Sequence, residues 1–161
     1  MLGFKPVLHD DIPQLVALAD EIWHEYFPTV VSPEQTEYMI NKFDKEEVLN
    51  ERIQQRGRRY FFIVNGSTTM GYFTMSPRDD AQLVKMYLKK EFRGKGIGKK
   101  AMKRIYKICR EEGYSKIYMA VEKKNTAAVA AFRTWGFEIA YSQTNDIGDY
   151  VMDIHVMEKR I

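Results

Sequence analysis

The stretch Arg93-Gly94-Lys95-Gly96-Ile97-Gly98 decides the reading of this chain. It follows the apolar run Leu83-Val84-Lys85-Met86-Tyr87-Leu88 and opens a helical pattern that begins near Gly96. A strand, a glycine-rich turn and a helix in that order make an anion site. Glycines let the backbone come close to a ligand, and the free N–H groups of the first helical turn point at it. Arg93, Lys95, Lys99 and Lys100 add positive charge there. Two commoner phosphate motifs do not fit. A dinucleotide fingerprint needs G-x-G-x-x-G, whereas Gly94, Gly96 and Gly98 are spaced G-x-G-x-G. A P-loop needs a glycine five positions before its Gly-Lys pair and a Ser or Thr after it. Arg93 and Lys100 stand in those places.

The chain has 161 residues, 45% of them apolar, which suits one domain, residues 1–161, with a full core. It contains no run of about 18 apolar residues, so no membrane span is expected. Met1-Leu2-Gly3-Phe4-Lys5-Pro6 lacks the basic start and apolar run of a secretion signal. Cys109 is the only cysteine and lies in a helical pattern. It has no partner for an internal disulfide, which fits a reducing, cytoplasmic setting, and it reads as helix filler rather than as a nucleophile.

Charge is unevenly distributed. Lys85 to Arg133 holds 15 Lys/Arg and 4 Asp/Glu, a net of +11, and the rest holds 10 and 18, a net of −8. A basic segment suits nucleic acid or a small polyanion. The glycine turn within it favours the small molecule, and no nucleic-acid motif is recognised. The acidic remainder would suit a cationic second substrate.

Around the turn, the pattern predicts a strand at Phe4 to Leu8 and a helix from Ile12 to Trp23. That helix has Asp10 or Asp11 as cap and Pro13 in its first turn. Ser32 with Gln35 reads as a capping box, and Asp44 with Glu47 repeats it. Strands follow at Arg59 to Val64, Met70 to Met75 and Leu83 to Leu88, with Asn65-Gly66 as a hairpin turn between the first two. A helix from Gly96 to Glu112, a strand from Lys116 to Val121 and a helix from Thr126 to Trp135, capped by Asn125, come next. Strands at Phe137 to Tyr141 and Tyr150 to Met157 end the chain. The order β-α-α-α-β-β-β-α-β-α-β-β describes one mixed sheet with helices on it.

Two linked stretches carry a family resemblance. Leu83 to Leu88 with Arg93 to Gly98 is the first, and Val121, Asn125, Ala128, Phe132, Gly136 and Phe137 form the second. The chain resembles the GNAT superfamily of acyl-CoA N-acyltransferases. The resemblance implies an α/β (α+β) fold with a mixed, mostly antiparallel sheet of about seven strands flanked by four or five helices. It implies acetyl-CoA as acyl donor, a primary amine as acceptor, and no metal, nucleic acid or membrane partner. A homodimer is expected as well. Glu21-Ile22-Trp23, Pro33-Glu34-Gln35, Asp146-Ile147-Gly148 and Met152-Asp153 look like a bacterial branch near polyamine-acetylating members.

The resemblance assigns the coenzyme's pyrophosphate to backbone N–H groups from Gly94 to Lys99, and its pantetheine arm to main-chain groups around Met86, Tyr87 and Leu88. Asn125 and Phe132 complete that cofactor set, together with Arg93, Lys95, Gly96, Ile97, Gly98 and Lys99. Asn125 also reads as a plain helix cap. The pattern departs at two places. Many members carry a proton-donating Tyr seven residues after the Asn, where this chain has Phe132, and some carry a base Glu where it has Ala120.

A base is still needed, because an amine of pKa near 10.4 is less than about one part in a thousand neutral at pH 7. His155 with Asp153, sharing one face of the last strand, and Glu25 beside His24 on the first helix are the candidates. The expected activity is acetyl transfer to a small cationic amine such as a polyamine, by direct attack in a ternary complex. An acyl-CoA-binding module with little catalysis and a peptide N-acetyltransferase are the alternatives.

Overall fold

The computed structural model describes residues 1–43, 45–55 and 57–161. Its elements are β1 (Leu2–Pro6), α1 (Ile12–Tyr26), α2 (Pro33–Phe43), α3 (Glu46–Gln54), β2 (Arg59–Asn65), β3 (Thr68–Arg78) and β4 (Ala81–Leu88), then α4 (Ile97–Glu111), β5 (Lys116–Glu122), α5 (Thr126–Thr134), β6 (Glu138–Ile147) and β7 (Tyr150–Arg160). The strands form a seven-stranded sheet in the order β1-β2-β3-β4-β5-β7-β6. Every pairing is antiparallel except that of β4 with β5.

Alternation along the strands sorts the apolar side chains into two cores. On one face, α1, α2 and α3 bring Leu15, Ile22, Met39 and Leu49 onto Tyr60, Phe62 and Tyr72. On the other, α4 lays Ala101, Met102, Ile105 and Cys109 onto Phe73, Val84 and Ile117. Those four residues of α4 sit at the i, i+1, i+4, i+8 spacing of one helical stripe.

Local differences from the sequence pattern have physical reasons. β1 lies two residues earlier than its pattern, although the Val7 N–H still donates to Tyr60 O at 2.9 Å. The Asp11 carboxylate accepts from the Leu8 N–H at 2.9 Å, so it closes the turn before α1 rather than capping the helix itself. Ser32 Oγ accepts from the Gln35 N–H at 3.1 Å, half of a capping box. The other half is missing because Gln35 is buried, and its Nε2 donates to Val151 O at 2.9 Å. That bond ties α2 to β7. The expected cap Asp44 lies outside the described residues.

β6 runs to Ile147, well past Tyr141, because it is an edge strand with mostly exposed side chains and no core to impose alternation. At the tip of the β6–β7 hairpin, Gly148 adopts φ +60, and any side chain there would collide with the Tyr38 ring of α2. Among the described residues, no helix is long and apolar enough to cross a membrane.

Candidate active site

The site begins where two strands part. β4 and β5 pair only from Ala81↔Lys116 to Val84↔Met119. Beyond that, β4 continues to Leu88 against β3, and β5 continues to Glu122 against β7. The Lys89 N–H donates to Met70 O at 2.9 Å, which places residues 85, 87 and 89 at the positions bonded to β3. The N–H and C=O groups of Met86 and Leu88 therefore face the gap. Arg93 Nε donates to Leu88 O at 3.0 Å and pins the strand end to the glycine turn.

On the α4–α5 face, a groove of about 450 Å³ opens at this gap. Met86, Tyr87, Leu88, Arg93, Gly94, Gly96, Ile97, Gly98, Lys99, Asn125 and Phe132 line it, together with Ala128 and Trp135. Gly94 and Gly96 have φ values of +72 and +78, and a Cβ at either would meet nothing within 4 Å. Backbone conformation, not lack of space, selects glycine there. The Lys100 N–H bonds to Gly96 O at 3.2 Å, so the amides of Ile97, Gly98 and Lys99 precede the first helical bond and stay available to a ligand.

These features fit a diphosphate with an extended arm: free amides lie at one end of the groove and a free strand edge at the other. Lys95 is exposed and does not line the groove. Phe132 is packed against Trp135 and Phe137, with ring centroids 5.4 and 6.2 Å away.

On the α1–α3 face, a second cavity of about 270 Å³ reaches the same gap. Its walls include Trp23, Tyr60, Tyr72, Arg52, Arg58, Met152 and Ile154. Lys85, Tyr87, Ala120, Val121 and Glu122 line both cavities. At this junction Asn125 caps α5, its Oδ1 accepting from the Ala128 N–H at 3.1 Å. Its Nδ2 donates to the Tyr26 hydroxyl at 3.1 Å, and that hydroxyl donates to Glu122 Oε2. Burial and the neighbouring Glu122 carboxylate hold the Tyr26 and Tyr87 hydroxyls well above the usual phenol range, so both stay protonated.

Glu122 was not among the sequence candidates. It lies one strand repeat beyond Ala120, on the same side of β5, and extending the alternation of β5 by two residues would have found it.

The sequence-selected bases lie elsewhere. Met152 and Ile154 face the second cavity, so alternation along β7 turns Asp153 and His155 to the opposite side. His155 Nδ1 lies 2.6 Å from Ser142 Oγ, and Asp153 Oδ1 accepts from Thr144 Oγ1 at 2.5 Å. Both are cross-strand pairs with β6, and neither residue lines either of these two cavities. Glu25 also lines neither, and its carboxylate accepts from the Lys90 N–H at 3.4 Å. It steadies the turn leading to Arg93.

His24 is exposed. Its Nδ1 is 2.8 Å from Asp20 O, and its Nε2 is 3.2 Å from Glu37 Oε1 on α2. The Asp20 carbonyl, followed by the Asp20 and Glu37 carboxylates, raises its pKa above the usual 6.5. Cys109 is buried in α4, and burial with nearby Glu112 pushes its thiol up to about 11, which suits core packing and not nucleophilic attack.

Comparison with known proteins agrees with this arrangement. The model of the acetyltransferase (GNAT) family matches residues 15–137. The chain is 26% identical to the spermidine N(1)-acetyltransferase of Thermoplasma acidophilum, over 89% of this chain and 91% of that protein. Its fold is shared with the PaiA N-acetyltransferase of Thermoplasma acidophilum, solved in complex with coenzyme A. That likeness has a TM-score of 0.82 at 22% identity and covers 100% of this chain and 99% of that one. The ribosomal-protein-S18-alanine N-acetyltransferase of Escherichia coli shares the fold too, with a TM-score of 0.74 at 14% identity, over 100% of this chain and 94% of that one. Parted strands, glycine turn and family match lead to one conclusion: the chain belongs to the acetyltransferase (GNAT) family and is an acetyltransferase.

Proposed function

We propose that this chain transfers an acetyl group from acetyl-CoA to a primary amine by direct attack in a ternary complex, at the gap between β4 and β5. One observation carries the reading: two cavities from opposite faces of the sheet meet there, and Glu122 lines both. The donor supplies a thioester. The main-chain groups of Met86 and Leu88 receive its arm as they would a strand, and the amides at the start of α4 receive its phosphates. A β4 N–H beside the thioester carbonyl stabilises the negative charge that develops on oxygen.

The amine arrives from the other face, mostly as ammonium. Glu122, oriented by the Tyr26 hydroxyl, takes its proton. The C–N bond then forms as the C–S bond breaks, and the surplus proton on nitrogen passes to the departing thiolate. A thiolate with a parent pKa near 8.5 leaves easily, so Phe132 in place of a tyrosine is compatible with turnover. The raised thiol pKa of Cys109 supports direct attack over a covalent enzyme intermediate.

The test is thiol release from acetyl-CoA across polyamines, amino acids, aminoglycosides and peptides, run on the wild type and on Glu122→Gln. The variant should lose at least about 100-fold in kcat while acetyl-CoA affinity stays within twofold. An unchanged kcat removes Glu122 from the proton path. A second reading takes the acceptor to be a polyamine. The activity named for the Thermoplasma relative favours it. Turnover of spermidine above all other amines would select it.

A further inference from the structure

The acceptor side of the gap holds more positive charge than an amine needs. Arg52 from α3, Arg58 from the segment before β2 and Lys85 from β4 line it, and among the described residues Glu122 is the one carboxylate set against them. Glu122 is already engaged by the Tyr26 hydroxyl. Among the described residues, no acidic side chain pairs with Arg52, Arg58 or Lys85.

Both guanidiniums are held in place. Arg58 Nε donates to Ser76 Oγ at 3.0 Å, and Arg52 lies over the Phe43 ring, 5.1 Å from its centroid. Burial of Lys85, then the nearby charges of Arg58 and Arg52, hold its ammonium below the usual lysine range. Unneutralised cations crowded into a half-enclosed space repel one another and any further cation, and an anion relieves that repulsion. The coenzyme's phosphates do not explain the cluster, because the free amides that suit them lie on the opposite face of the sheet.

We propose that the acceptor is a primary amine that also bears an anionic group, of about amino-acid size, with the anion seated among Arg52, Arg58 and Lys85. The proposal rests on the acetyl-transfer reading of the same site. The aromatic wall of Trp23, Tyr60 and Tyr72 covers the acceptor's apolar part, and its nitrogen reaches Glu122.

The experiment uses matched amines. L-phenylalanine and L-methionine are each compared with the corresponding amide and decarboxylated amine, and O-phosphoethanolamine with ethanolamine, beside spermidine. Binding to the protein loaded with coenzyme A is followed by calorimetry, and transfer by thiol release. At least one anion-bearing amine should bind tenfold or more tighter than its anion-free twin. Arg58→Gln should reduce that preference to within twofold without weakening the anion-free twin, and Arg58→Lys should retain part of it. Circular dichroism melts confirm that both variants fold.

A carboxylate preference and a phosphate preference both support the seat and say which anion fills it. Equal binding of anion-bearing and anion-free twins, tighter binding of spermidine, or an Arg58→Gln loss shared by every ligand overturns it. Anion-selective binding without turnover strikes the transfer reading alone. Turnover confined to spermidine strikes the anion seat alone.

Discussion

The polar groups that the groove on the α4–α5 face offers a ligand come largely from main chain, and those of the cavity on the α1–α3 face come from side chains. The first offers amides of the glycine turn and an unpaired strand edge, which any side chains of the right conformation would supply. The second offers two arginines, a lysine, a carboxylate and an aromatic wall, which a handful of substitutions would rewrite. A donor site built from backbone resists change, whereas an acceptor site built from side chains changes readily. One scaffold can therefore keep its donor and exchange its acceptor.

Substitutions on one side should leave the other intact, and the largest such effect belongs to the turn. Gly96→Val forces a β-branched residue into φ +78, a strain of about 1–3 kcal/mol. Acetyl-CoA affinity, read by calorimetry, should fall about tenfold or more while the order of preference among amines is unchanged. A reshuffled amine order would break the division. Asn125→Ala removes a helix cap and the Tyr26 contact together, at about 1 kcal/mol and some 2–4 °C in Tm. Because Tyr26 orients Glu122, this variant alone should lower both thermal stability and kcat.

Phe132→Tyr adds a hydroxyl within the donor groove, and kcat should stay within about threefold, since thiolate departure needs little help. A tenfold gain would show that proton donation to sulfur limits the rate. The smallest effect lies outside both cavities. His24 has a raised folded-state pKa, so its contribution is fully present below the unfolded value of 6.5 and fades as pH rises through the folded one. His24→Gln should cost about 0.5 kcal/mol or less at pH 5.5 and nothing at pH 8.5, measured by urea unfolding, because the group is exposed.

The turn was legible in the sequence because its information is local: the glycine spacing and the helix that follows occupy adjacent residues. The parting of β4 and β5 was not legible in the residues, since no residue pattern records where a parallel register ends. The side-chain cavity was hardest to read. Arg52 and Arg58 reach Lys85 only because α3 packs against β2 and β3, and Lys85 itself reads as one polar interruption of an apolar run. Charge summed along the chain does not say where the charges sit in the fold. Glu34, Glu37, Glu46 and Glu47 are exposed on α2 and α3 while Arg52 turns inward, so the net acidity outside Lys85 to Arg133 says little about the cavity. His155 and Asp153 share a strand face, as period two requires, but it is the face turned from the cavity, and a distinction of one residue in register separates the two.

Two strands that part inside a sheet leave two raw edges in the middle of the fold. Elsewhere such edges recruit another strand from a neighbouring molecule. Here α1 and α5 flank the opening, so it admits something slender rather than another protein. A slender molecule laid along that opening also mends the sheet. It binds the folded chain and not the unfolded one, adding about 2.7 kcal/mol at a hundred times its dissociation constant. Heat resistance of this protein should therefore rise and fall with the free coenzyme around it, so that the fold serves as a gauge of its own donor.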